Sequence, residues 1–152
     1  YWLMKSEPET FSIDDLAKAS KGECWDGVRN FQARNFMRSM KVGDKAFFYH
    51  SNTKVPGVVG TMSVIREAYP DHTQFDPKSS YYDPKSTREN PRWQMVDVAF
   101  ESKFDDVIPL TGLKTDRQLA DFALVKRGNR LSILPVTKTQ WYHILSYLRK
   151  MP

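Results

Sequence analysis

The chain has 152 residues, 40% of them hydrophobic and 13% aromatic, which suits one folded domain with a substantial core and excludes a purely disordered chain. Its 23 lysines and arginines against 18 acidic residues leave a net charge of +5, a modest cationic bias that suits an anionic partner without establishing one. The lone Cys24 excludes an internal disulfide and cysteine-rich zinc modules, His50, His72 and His143 lack metal-ligand spacing, and no apolar run approaches the roughly 20 residues of a membrane span. An unprocessed intracellular protein is therefore expected, with no metal, no cofactor and no membrane partner.

Tyr1 to Met4 reads as a short strand, ended by the turn Lys5-Ser6-Glu7-Pro8 because proline disfavours helix in the residue before it. Ser12-Ile13-Asp14-Asp15 has the form of a capping box, with Phe11 and Leu16 at staple positions, and predicts a helix from Ile13 to about Ala19. Asn30 is placed to cap a second helix in which Phe31, Phe36, Met37 and Met40 form an apolar face while Arg34 and Arg38 form a basic one. Ala46-Phe47-Phe48-Tyr49 predicts a buried strand, and Val58 to Arg66 its antiparallel hairpin partner.

From Tyr69 to Arg92 the composition turns to proline, lysine, serine and aspartate. The phrase aromatic-Asp-Pro-Lys-Ser occurs at Phe75 to Ser79 and again at Tyr82 to Ser86. This stretch is expected to be a long functional or mobile loop. Trp93 to Phe100 predicts another strand, Arg117 to Leu124 a helical stretch, and Arg130 to Pro135 a short strand. Thr137-Lys138-Thr139-Gln140 is a second capping box, opening a terminal helix through Trp141, Ile144, Leu145 and Leu148.

No Gly-x-Ser-x-Gly elbow, phosphate-cradling glycine loop or His-Glu-x-x-His is present. The chemistry that does cluster is aromatic, polar and basic. An aromatic face holds a planar base by stacking, worth about 1–3 kcal/mol per base, while hydroxyl, amide and main-chain groups read its edge. Trp25 supplies a face, Ser6, Asn30 and Ser132 edge-reading groups, and Arg29, Arg34, Lys126, Arg127 and Arg130 cations for phosphate, with Lys5 a further one. Loop aromatics such as Phe75, Tyr81 and Tyr82, interleaved with lysines and arginines, suit contact with a single strand. The same residues have a plain structural reading, with Trp25 in the core, Asn30 a helix cap and the arginines a solvated face.

The segments Tyr1 to Pro8, Trp25 to Asn30, Gln32 to Phe36, Phe47 to Asn52 and Arg130 to Ile133, in that order, resemble the EVE domain family over essentially the whole chain. Glu67 to Phe75 and Pro91 to Trp93 resemble one branch of that family, whose members imply nuclear residence in a eukaryote and otherwise a cytoplasmic protein. The resemblance implies an α+β, PUA-like fold, a curved or barrel-like mixed β-sheet flanked by short helices. It also implies a reader of modified bases, with modified cytosine in DNA favoured over modified RNA, and not a catalyst. Carried onto this chain, it places Lys5 and Ser6 at a strand end of the pocket, Trp25 as the pocket aromatic, Gly27, Val28 and Asn30 in the turn that shapes it, Tyr49, His50 and Ser51 at the central strand end, and Ser132 on the last strand.

A single-domain, monomeric nucleic-acid reader is thus the expectation. Its rivals are an enzyme acting on nucleotides or modified bases through Cys24 or His50, and a protein-interaction scaffold using the 69–92 loop.

Overall fold

Strand residues alternate between the two faces of a sheet, and here both faces are apolar. Leu3 and Met4, Phe47 and Phe48, and Ile133 and Leu134 are all fully buried neighbours that enter different cores. That pattern calls for helices on each side of one sheet. The computed structural model, which describes residues 1–150, has this architecture. One core packs Met4, Phe48, Met62 and Val98 against helices α1 (Ile13–Lys18) and α2 (Phe31–Ser39). The other packs Leu3, Phe47 and Ile108 against α3 (Leu110–Lys114), α4 (Lys138–Leu145) and the segments between them. A last short helix, α5, covers Tyr147–Lys150.

The six strands are β1 (Trp2–Ser6), β2 (Glu23–Cys24), β3 (Lys45–His50), β4 (Gly57–Pro70), β5 (Gln94–Pro109) and β6 (Ile133–Pro135), in the spatial order β2-β5-β4-β3-β1-β6. Only β1 and β3 run parallel, so the sheet is mixed. The ladder between β4 and β5 changes register at four places, and such bulges bend and twist the strands that carry them. Residues beside the two outermost strands, β2 and β6, line one cavity.

Both capping boxes form as expected, Ser12 with Asp15 and Thr137 with Gln140, and Asn30 caps α2 by accepting from the Ala33 amide. Three expectations are corrected. The second strand of the hairpin runs on to Pro70, so Tyr69 pairs with Met95 inside the sheet. The stretch expected to be helical over 117–124 is two separate 3-10 turns, Arg117–Leu119 and Ala123–Val125, with Leu119, Phe122 and Leu124 buried. Phe31 leaves the apolar face of α2 and is 50% exposed, while Ala33, Met37 and Met40 fill the core.

The 69–92 loop is pinned. Gln74, fully buried, donates to the carbonyls of Asp71 and Trp93 and accepts from the Ser86 hydroxyl and the Trp93 amide. The two copies of the repeated phrase fold alike. Asp76 and Asp83 each accept from the lysine amide two residues on, at 2.9 Å in both cases.

Candidate functional site

A cavity of about 810 Å³ opens where the two edges of the sheet approach each other. Lys5 and Ser6 at the end of β1, with Ser132 and Arg130 before β6, form one wall. The segment from Glu23 to Arg29 forms the opposite wall, and Phe11, Ser51 and Tyr81 complete it. The volume falls within the roughly 300–1,000 Å³ of small-molecule sites. Its charges are mixed, with Lys5, Arg29 and Arg130 against Glu7, Glu23 and Asp26.

The second wall is held by a buried carboxylate. Asp71, whose side chain is fully buried, accepts from the Gly27 amide at 2.8 Å and from Arg29 at 3.1 Å through Oδ2, and from the Thr73 amide and hydroxyl through Oδ1. Burial alone raises the Asp71 carboxyl, but the hydrogen bonds from Thr73 and Gly27 and the Arg29 charge outweigh it and hold the group below its ordinary value. Arg29 also donates to the carbonyls of Tyr81 and Val28 and to the Thr73 hydroxyl. Its planar fork is thus saturated within the protein, which makes it a clasp between the cavity wall and the loop with no N–H left over for the phosphate that the sequence suggested.

Gly27 has φ of +81°, and a Cβ there would lie 2.6 Å from the Tyr81 ring. Only glycine satisfies both the left-handed backbone and the close approach of that tyrosine. Asp71 was not legible as a site residue, and Tyr81 was legible only as a loop aromatic suited to a single strand, not as a wall of this cavity. Both sit in the proline-rich loop, and their partners lie more than forty positions earlier.

The structure brings Lys5, Ser6, Trp25, Gly27, Val28, Arg29, Ser51, Arg130 and Ser132 to the cavity and sets Asn30, Tyr49 and His50 outside its lining. Asn30 is occupied as the cap of α2. Tyr49 is 3% exposed, with the Lys5 ammonium over its ring. His50 accepts the Ile13 amide at 3.1 Å, which satisfies an orphan donor at the start of α1, and burial lowers the imidazole's affinity for a proton. Trp25 borders the cavity but is only 6% exposed, set edge to face with Phe48 and Phe11. It is a wall, not an open shelf. Tyr81 and Phe11, both half-buried, are the more accessible rings of the lining.

Arg34 lies on α2 and donates to the Arg92 carbonyl, while Lys126 and Arg127 are exposed on the loop that leads to Arg130; none of the three lines the cavity.

Burial raises the Cys24 thiol to about 12, helped by Glu23, Asp26 and Asp97, so at neutral pH it is a thiol and not an activated thiolate. Burial lowers the Lys5 ammonium. Asp26 keeps an exposed edge, yet loss of water along the cavity wall and the charge of Asp71 raise its carboxyl. The Ser6 hydroxyl donates to the Phe11 carbonyl at 2.7 Å and so presents lone pairs elsewhere. A second hollow of about 640 Å³, beside Tyr1, Trp141 and Tyr142, contains none of the expected site residues. Among the described residues no group of acidic, histidine and cysteine side chains is arranged to hold a metal, and no helix is long and apolar enough to cross a membrane.

Comparison with known proteins agrees with this architecture. The EVE domain model matches residues 1–147. Thymocyte nuclear protein 1 of Homo sapiens is 48% identical over all of this chain and 75% of its own length. A crystal structure of a Pseudomonas syringae protein superposes with a TM-score of 0.95 at 49% identity, covering 97% of this chain and 99% of the other. The crystal structure of human THYN1 protein in complex with 5-methylcytosine-containing DNA superposes at 0.90 and 48% identity, covering 99% and 98%. The chain belongs to the EVE domain family.

Proposed function

We propose that this protein binds nucleic acid by taking one modified base, a 5-methylcytosine or a related modified cytosine, into the cavity between the sheet edges. The observation that carries the reading is the cavity's lining, which supplies apolar walls, carboxylate acceptors and hydroxyl groups in one site. Cytosine presents an exocyclic amine, and carboxylates accept from that amine. Asp26 and Glu23 are the acceptors, joined by the lone pairs of Ser6. Lys5, Ser51 and Ser132 provide donors for the carbonyl edge. Phe11, Trp25 and Val28 offer the apolar surface a 5-methyl group needs, and Tyr81 the ring against which the base lies.

Carboxylates inside the cavity repel phosphate, so the base enters and the backbone stays outside, near Arg130, Lys126 and Arg127. The human relative bound to 5-methylcytosine DNA makes DNA the favoured polymer. A base drawn from a duplex must first be flipped out, at a cost of a few kcal/mol. One chain completes the cavity, so a monomer suffices. The role is that of a binding module, for the thiol of Cys24 and the occupied imidazole of His50 do not form an activated pair. In a eukaryotic cell this reading places the protein with the nuclear relatives.

Titration of matched DNA and RNA oligonucleotides, with and without a single 5-methylcytosine, tests the proposal. The expected result is tighter binding of the methylated DNA by about 5–150-fold, the worth of one methyl-sized contact, with Asp26→Asn and Tyr81→Ala weakening both strands because they hold features that the two cytosines share. Equal affinity for methylated and unmethylated strands would end the proposal.

A further inference from the structure

The cavity does not stand alone on its side of the molecule. The Arg29 guanidinium lies 5.6 Å from the centre of the Tyr81 ring in the cavity wall and 5.5 Å from the centre of the Trp93 ring beyond it. Trp93 in turn stacks on Phe31 at 4.8 Å and 23°, and the Arg34 guanidinium lies 4.8 Å from the Phe31 ring. Tyr81, Arg29, Trp93, Phe31 and Arg34 therefore form a continuous ladder of planar groups running from the cavity to the surface.

At its outer end, Phe31 is half exposed although it opens a helix whose Ala33 and Met37 are buried and whose Phe36 is partly so. A single exposed apolar side chain is ordinary in itself. What sets this one apart is its company. The Arg92 guanidinium is 6.0 Å from the ring, and Arg34 is close enough to Arg38 and Arg92 to feel both charges. Arg92 has a carboxylate partner in Asp83 at 3.4 Å, whereas among the described residues neither Arg34 nor Arg38 forms an ion pair. Gathering like charges around a fixed aromatic ring costs free energy that a bound anion recovers, and aromatic rings among guanidiniums are what a nucleotide strand uses.

We propose that the Phe31 surface, with Arg34, Arg38 and Arg92, is a second nucleic-acid site that holds the nucleotide flanking the base in the cavity, Phe31 contacting its sugar or base and the arginines its phosphate. The inference rests on the base-reading role of the cavity, and it adds where the strand goes next. It also divides the labour. The cavity sets preference for the modified base, and the Phe31 surface supplies affinity that any sequence shares.

The experiment compares 5-methyl-deoxycytidine monophosphate with short oligonucleotides carrying one central 5-methylcytosine or cytosine, against the natural protein, Phe31→Ala and Arg34→Gln. Both side chains lie at the surface, and a thermal melt confirms that each variant folds. Phe31→Ala is expected to lose about ten-fold in affinity for both oligonucleotides while binding the mononucleotide unchanged. Arg34→Gln is expected to flatten the dependence of log K on log salt by about 0.7 for a single strand or 0.9 for a duplex. If both variants bind the oligonucleotides as the natural protein does, the second site does not exist. If the natural protein shows no preference for the methylated base yet gains affinity from flanking nucleotides that the variants lose, the surface stands and the base-reading role of the cavity falls.

Discussion

Replacing Asp71 by asparagine probes the clasp that shapes the cavity. The two side chains have nearly the same size, so the change isolates charge and hydrogen bonding. Asp71 receives the Gly27 amide and Arg29 on one oxygen and both Thr73 donors on the other. Asparagine keeps one oxygen and presents an NH2 group in place of the second, so in either orientation two donors face another donor. Each buried donor left without an acceptor costs about 1–3 kcal/mol, and breaking one partner of a buried ion pair costs about 3–5 kcal/mol. These overlapping accounts give about 4 kcal/mol. For a chain of this size that is a fall in Tm of about 8–16 °C.

Denaturant unfolding with oligonucleotide titration on the same samples is the assay. Stability and affinity should fall together, because the Gly27 to Arg29 wall loses its carboxylate anchor and keeps only the Arg29 bonds to Thr73 and the Tyr81 carbonyl as ties to the loop. A free-energy loss below about 0.5 kcal/mol would refute the clasp. The folded-state carboxyl titrates below its ordinary value, so its contribution is complete above the usual aspartate pKa and is lost as the pH falls below it. The natural protein should therefore weaken in strong acid more steeply than the variant.

Gly27→Ala should cost about 2 kcal/mol and weaken oligonucleotide binding, since the left-handed backbone is strained and the new methyl displaces the Tyr81 ring; thermal melts read the first effect and titrations the second. Trp25→Ala should destabilise by about 3–5 kcal/mol because the indole is buried, so its effect on binding is interpretable only beside the unfolding curve. His50 accepts the Ile13 amide as a neutral ring with its proton affinity lowered, so its contribution is complete above about pH 6.5 and is lost as the pH falls below that value. His50→Gln should flatten that part of the stability profile. Cys24 should be alkylated by iodoacetamide at pH 8 at least about ten-fold more slowly than a free thiol, and rapid labelling would refute the raised thiol.

What was legible in the sequence was local. Ser12 with Asp15 and Thr137 with Gln140 act across one helical turn, and both boxes close as their spacing requires. The paired aromatics of β3 likewise give away a strand buried on both faces. Asn30 was readable as a cap and as an edge-reader, and its side-chain oxygen is given to the Ala33 amide. Arg29 invited a phosphate because a cation beside a polar turn ordinarily faces solvent. The partners that saturate it, Asp71, Thr73 and Tyr81, arrive from a segment whose composition suggests no fixed position. The long-range pairing of Gly27 with Tyr81 is equally silent in the sequence, where the glycine marks only a turn.

The walls of the cavity come from positions near the start, the first quarter, the middle and the last fifth of the chain. No fragment contains them, so the cavity exists only after the final strand has docked beside the first. Occupancy and folding are for that reason one equilibrium: a ligand present at a hundred times its Kd adds about 2.7 kcal/mol to the native state. A change in the sheet that touches nothing the ligand touches will then register as weakened recognition once it is large enough to leave an appreciable share of the chain unfolded.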